Sequence, residues 1–151
     1  MGIRTWIEKL FGNQIKPEEV PVQEFFNIAG ETYIRELAFY SCINIIANAV
    51  SKCEFKTYVR GVEMKGPEYY LWNIEPNKNQ GSSTFLHKLI CKLYEDGQAL
   101  VIEQNEQLLI ADSYTRKQYA LYEDVFSQVQ VGDFTFSRNF VQSEVLYFEL
   151  E

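Results

Sequence analysis

The only histidine, His87, stands four residues before a cysteine, Cys91, a spacing that puts both side chains on one side of a helix. Such a pair does nucleophilic chemistry when the imidazole reaches the thiol, a third group orients the base and an oxyanion site faces both. Neither of the last two is marked in the sequence, and by helical angle both residues flank the apolar face of their helix. A free cysteine is most often a small buried hydrophobe. A zinc site drawn from Cys42, Cys53, His87 and Cys91 lacks any C-x-x-C or H-x-x-x-H spacing. The paired acids Glu18-Glu19, Glu95-Asp96 and Glu123-Asp124 read as solvated surface, and the 8 glycines are too dispersed to form a phosphate loop. Catalysis, a cofactor and a metal are therefore not expected.

Composition narrows the remaining classes. The chain has 151 residues, 46% hydrophobic, with 14 Lys and Arg against 21 Asp and Glu for a net charge of −7. That length suits one domain or part of a larger one, and the apolar share can fill a core. An acidic balance argues against clamping nucleic acid, because that affinity comes from cations releasing counterions. Three cysteines at irregular spacing suit a reducing compartment rather than a disulfide framework. The longest uncharged run, Leu37 to Ser51, has 15 residues, short of the roughly 20 that span a bilayer. No membrane partner is expected.

The elements that position these residues follow from periodicity. Ile3, Trp6, Ile7, Leu10 and Phe11 recur as one face of an amphipathic helix over 1–12, stopped by Gly12-Asn13 and too short to be stable alone. Residues 13–30, broken by Pro17 and Pro21, read as an extended connector. A helix follows from about Glu31 to Ser51. One side carries Ile34, Leu37, Ala38, Ser41, Cys42, Ile45 and Ala49; the other carries Phe39, Ile43, Ala47 and Val50. A helix apolar nearly all round needs cover nearly all round, and Asn44 and Asn48 would need partners within the packed layer.

Beyond it, Cys53 to Val59 reads as a strand and Glu68 to Ile74 as a helical turn. A second long helix, capped by Ser82 or Ser83, buries Leu86, Leu89, Ile90, Leu93 and Tyr94 and closes at Asp96-Gly97. Strands are then expected over 98–103, 107–112, 117–123, 126–131, 134–138 and 145–150, with hairpin turns at Asn105 and Gly132-Asp133. Helices first and mainly antiparallel hairpins later give an α+β fold, with residues 31–151 as the folded domain.

Read in order, four pieces resemble the N-terminal part of tailed-phage portal proteins of the type found in phage HK97. They are the opening Gly2–Gly12, the helix Phe39–Val50 followed by a strand, and Leu71-Trp72-Asn73-Ile74-Glu75-Pro76-Asn77 leading into a helix. The fourth comprises Asp96–Ile102, matching a "GNAy" segment, and Ser143–Phe148, matching "dVlHi". Gln98 stands where that pattern has Asn, and Tyr147 where it has His. The resemblance implies a wing-like α+β domain cut short before the stem and clip. It also implies a non-enzymatic subunit of a usually dodecameric ring at the capsid vertex, assembled in the host cytoplasm. Its partners would be further copies of itself, the terminase large subunit, capsid and scaffold proteins, head–tail adaptors, and double-stranded DNA that slides through unread. Trp6, Leu10, Phe11, Phe39, Ile43 and Trp72 are the residues expected at subunit or partner contacts. The alternatives are a small cytoplasmic α+β interaction module unrelated to phage and, ranked last, a hydrolase built on Cys91 and His87.

Overall fold

The computed structural model describes residues 22–150, with side chains described from residue 30 onward. The expected helix over 1–12, with Trp6, Leu10 and Phe11, lies outside the described residues. Two compact units divide the chain, Met1–Ala38 and Phe39–Glu151. Helix α1 is Val22–Val50, so the helix starts nine residues before the expected Glu31 and the later part of the expected connector is helical. The reason is local: after Pro21 no proline occurs until Pro67, and a single interior glycine such as Gly30 costs a helix only about 1 kcal/mol. In the first unit, Tyr33, Ile34 and Leu37 are exposed.

In the second unit, α1 turns Ile43 and Ala47 inward, with Ile46 and Val50 half-buried on the same face. This is the i, i+3, i+4, i+7 spacing of one helix side. Ile45, on the opposite side, is 70% exposed, so the helix is covered along one face only. Asn44 and Asn48 lie at the surface rather than in a packed layer.

A two-stranded hairpin follows, β1 Tyr58–Val59 and β2 Val62–Glu63. The expected strand from Cys53 shrinks to its last two residues, because residues 53–57 have no partner strand. Helices α2 (Pro67–Asn73) and α3 (Ser82–Asp96) come next. Gly81 rather than a serine occupies the N-cap of α3. The two serines make cross-links instead: Ser82 Oγ donates to the carbonyl of Trp72 (2.6 Å) and Ser83 Oγ to that of Ser51 (3.1 Å). Gly97 ends α3 with a left-handed φ of 73°, a conformation that glycine adopts without steric cost.

Strand β3 (Gln98–Gln104) is the axis of the domain, flanked antiparallel by β4 (Gln107–Ile110) and β9 (Val145–Glu149) in the order β4-β3-β9. Side chains alternate across a strand, and both faces of β3 are covered. Ala99 and Val101 join Phe85, Leu86, Leu89, Leu108 and Ile110 under α3. Leu100 and Ile102 join Ala111, Phe126, Val129 and Phe140 against a second sheet. That second sheet holds β5 (Ser113–Lys117), β6 (Val125–Val131) and β7 (Phe134–Thr135), with β8 (Phe140–Val141) also on β6. The result is three layers, a helix over a sheet over a sheet, and an α+β fold as expected.

The expected strand over 117–123 is not formed. β5 ends at Lys117 and the chain loops out, leaving Leu121 and Tyr122 at 89% and 80% exposure. The base of this loop is pinned by Arg116, whose Nε and Nη2 both meet Asp124 Oδ2 at 2.8 Å. Arg116 Nη1 also donates to Glu149 on β9 (3.0 Å) while the guanidinium lies over the Tyr147 ring, tying the two sheets together. On β9, the Tyr147 hydroxyl donates to Gln98 Oε1 at 2.7 Å. The two positions that depart from the resembled pattern are thus hydrogen-bonded to each other.

Candidate functional site

His87 and Cys91 do meet on α3, with Cys91 Sγ 3.6 Å from His87 Nδ1. A third residue completes the line, because His87 Nε2 lies 3.1 Å from Asn44 Oδ1 on α1. The sequence did not mark this orienting group, which sits 43 residues away along the chain. The electrostatics run against a nucleophile. Burial pushes the Cys91 thiol up from its ordinary value, and the Glu95 carboxylate one turn on adds to the shift. A reactive thiolate needs the opposite environment, a cation or helix N-terminus that lowers the pKa. The trio therefore serves as a hydrogen-bonded clasp between α1 and α3. Iodoacetamide at neutral pH is expected to modify exposed Cys42 and Cys53 first, with Cys91 labelling only as the pH rises past the usual thiol range near 8.5. Peptide mapping by mass spectrometry checks this; Cys91 labelling first at pH 7 would restore the hydrolase reading.

Among the described residues no group of three or more His, Cys, Asp or Glu is placed to hold a metal ion. No helix there is long and apolar enough to cross a membrane.

What the unit offers instead is surface. The segment from Ser51 to Gly66 forms an arm whose base is held on α2. The Asn73 side chain accepts from the Phe55 N–H (2.7 Å) and donates to its carbonyl (3.0 Å), as a neighbouring strand would. One turn earlier, the Tyr69 hydroxyl donates to Glu54, and the Phe55 ring packs on Trp72. Met64 N–H then closes on the Thr57 carbonyl. Past that base, Tyr58, Val59, Val62 and Met64 are all exposed. The turn itself is Arg60-Gly61, both at positive φ. Of the four cations on the arm, Lys56 and Lys65 pair with Glu63 and Glu54. Lys52 and Arg60 make no ion pair among the described residues.

A groove lies on another side of α2. Leu71, Trp72, Val101, Leu108, Val145 and Leu146 form its apolar floor, and Glu68, Glu103 and Glu144 its rim. An adjoining hollow shares Glu68, Leu71 and Glu103 and adds Glu75 and Glu106. No lysine or arginine lines either one. At 100° per residue, Leu71 projects about 180° round α2 from the mean direction of Tyr69 and Asn73. The arm's anchors on α2 thus point away from Leu71, and Trp72 lies between, touching Phe55 on one side and the groove on the other.

The expected contact residues divide. Phe39 is surface, 49% exposed, with its ring against that of Tyr40. Trp72 is half-buried and packs on Phe55 and Phe85, with one side facing the groove. Ile43 is 3% exposed within a single chain, on the one face of α1 that is covered. The arm was not singled out from the sequence; its signal was the run of apolar residues on both sides of Arg60-Gly61.

In comparisons with known proteins, residues 37–150 match the family model described as Phage portal protein. No curated protein matches the chain.

Proposed function

The chain belongs to the phage portal protein family, and from that premise we propose that it is a subunit of an HK97-type portal ring through which double-stranded DNA is packaged and ejected. The family is structural and non-enzymatic, a component of the virion at the capsid vertex that assembles as an oligomer in the phage head with DNA. The observation that supports this reading is the match to the portal family over three quarters of the sequence, 114 of 151 residues. The surface supports it. Val59 and Val62, paired on the arm, and the adjacent Leu121 and Tyr122 each leave more than half of their surface open, and exposed apolar clusters mark sites of association. A net charge of −7 suits a conduit that DNA slides through without being gripped. The ring would be a dodecamer, assembled in the host cytoplasm, and would meet terminase large subunit, capsid and scaffold proteins, and head–tail adaptors. Light scattering on the full chain is expected to give a closed oligomer, and negative-stain images annular particles. A single copy at all concentrations would overturn the ring.

A further inference from the structure

We propose that the arm of one copy docks, Arg60 first, into the acid-rimmed apolar groove of a neighbouring copy. This rests on the reading of the chain as a ring subunit and supplies the contact between subunits. A two-stranded hairpin is marginally stable in water without a further packing surface, and this one exposes Tyr58, Val59, Val62 and Met64. The groove presents what such a hairpin lacks, an apolar floor including Leu71 and Leu146.

Charge selects the occupant. Glu68, Glu75, Glu103 and Glu106 make no ion pair among the described residues, and no lysine or arginine lines the groove or its adjoining hollow; Lys78 lines only the further hollow beyond Glu75 and Glu106. Arg60, at the arm's tip, makes no ion pair among the described residues. A guanidinium entering a cluster of carboxylates gains charge-assisted hydrogen bonds, while the flanking valines and tyrosine cover the floor.

Within one chain the arm tip does not fill the groove: none of Tyr58, Val59, Arg60, Val62 or Met64 lines it, and the arm's backbone is anchored through Tyr69 and Asn73, turned away from Leu71. A donor and an acceptor that do not meet within one subunit can make a head-to-tail contact with the next, and head-to-tail contacts close into rings when the rotation permits.

The test uses the full chain with Cys42, Cys53 and Cys91 replaced by serine, and with Val59→Cys and Leu146→Cys introduced together. Both sites are exposed, so the fold should tolerate the changes, and circular dichroism confirms that it does. Oxidation is expected to give a ladder of disulfide-linked species beyond the dimer. Dimers alone would mean a two-fold exchange, and an assembled oligomer with no cross-link would mean a different interface; either overturns the proposal while leaving the ring in place. Separately, Arg60→Glu should raise the concentration at half-assembly by at least about tenfold, and adding Glu103→Arg should recover most of it. Unchanged assembly of Arg60→Glu also overturns the docking. If the unmodified chain never assembles, the ring itself falls and this contact with it.

Discussion

Phe126→Ala is expected to destabilise the second unit by about 3–5 kcal/mol, the range for deleting a large aromatic side chain from a packed core. Phe126 is fully buried on β6, within the cluster that fills the space between the two sheets. Its ring lies 5.4 Å from that of Tyr147 and 5.8 Å from that of Tyr114. Tyr147 is anchored by Gln98 and by the Arg116 guanidinium above it. It cannot collapse far into the space left, so the cavity term should be near its full size. Urea denaturation followed by circular dichroism checks this. Phe134→Ala supplies the comparison: Phe134 is 61% exposed on β7, and its loss should cost about 0.5 kcal/mol or less. Equal costs for the two would mean that the inter-sheet core is not where the unit's stability lies.

Asn77→Ala should be the next most damaging change, at about 2–3 kcal/mol. Asn77 is buried, and its amide donates to the Leu108 carbonyl at 3.0 Å. Leu108 N–H in turn donates to the Pro76 carbonyl at 2.7 Å, and Asn77 Oδ1 accepts from the Asn79 N–H. The Pro76-Asn77 pair thus acts as a short extra strand on the open edge of β4. Alanine would leave the buried Leu108 carbonyl with no donor. Aspartate would be no better, replacing the donor by a charge facing that carbonyl. The measurement is the midpoint of urea unfolding for both variants; a loss under about 0.5 kcal/mol would show that water substitutes for the amide.

These two residues mark the boundary of what the sequence makes legible. The hairpin at Asn105, the turn at Gly132 and the helix stop at Gly97 depend on residues a few positions apart, and each was readable from local chemistry. So was the central strand, whose Ala99-Leu100-Val101-Ile102 run fits a strand covered on both faces. Residues 117–123 misled because tyrosines and leucine have strand character, whereas a strand also needs a partner, and Lys117 is the last residue in register with β6. The buried side of α1 was not legible for a different reason. With apolar residues all round α1, periodicity cannot say which side faces inward, and the structure chose the Ile43–Ala47 side. Asn73 and Asn77 were visible as part of a motif but not as clamps, since their partners at Phe55 and Leu108 lie 18 and 31 positions away. Asn44 beside His87 was hidden in the same way. Charge was similarly only half-visible: the acids of the groove rim come from separate elements that meet only in the fold.

The hydrogen bond from Tyr147 to Gln98 makes one trait of what looks like two unrelated substitutions. Glutamine reaches a methylene further than asparagine, and a phenol oxygen extends beyond either imidazole nitrogen, so both changes shift the meeting point of two side chains 49 positions apart. The bond joins the first residue of β3 to β9, so the two side chains are expected to act as one unit, and replacing either alone should cost nearly what replacing both costs.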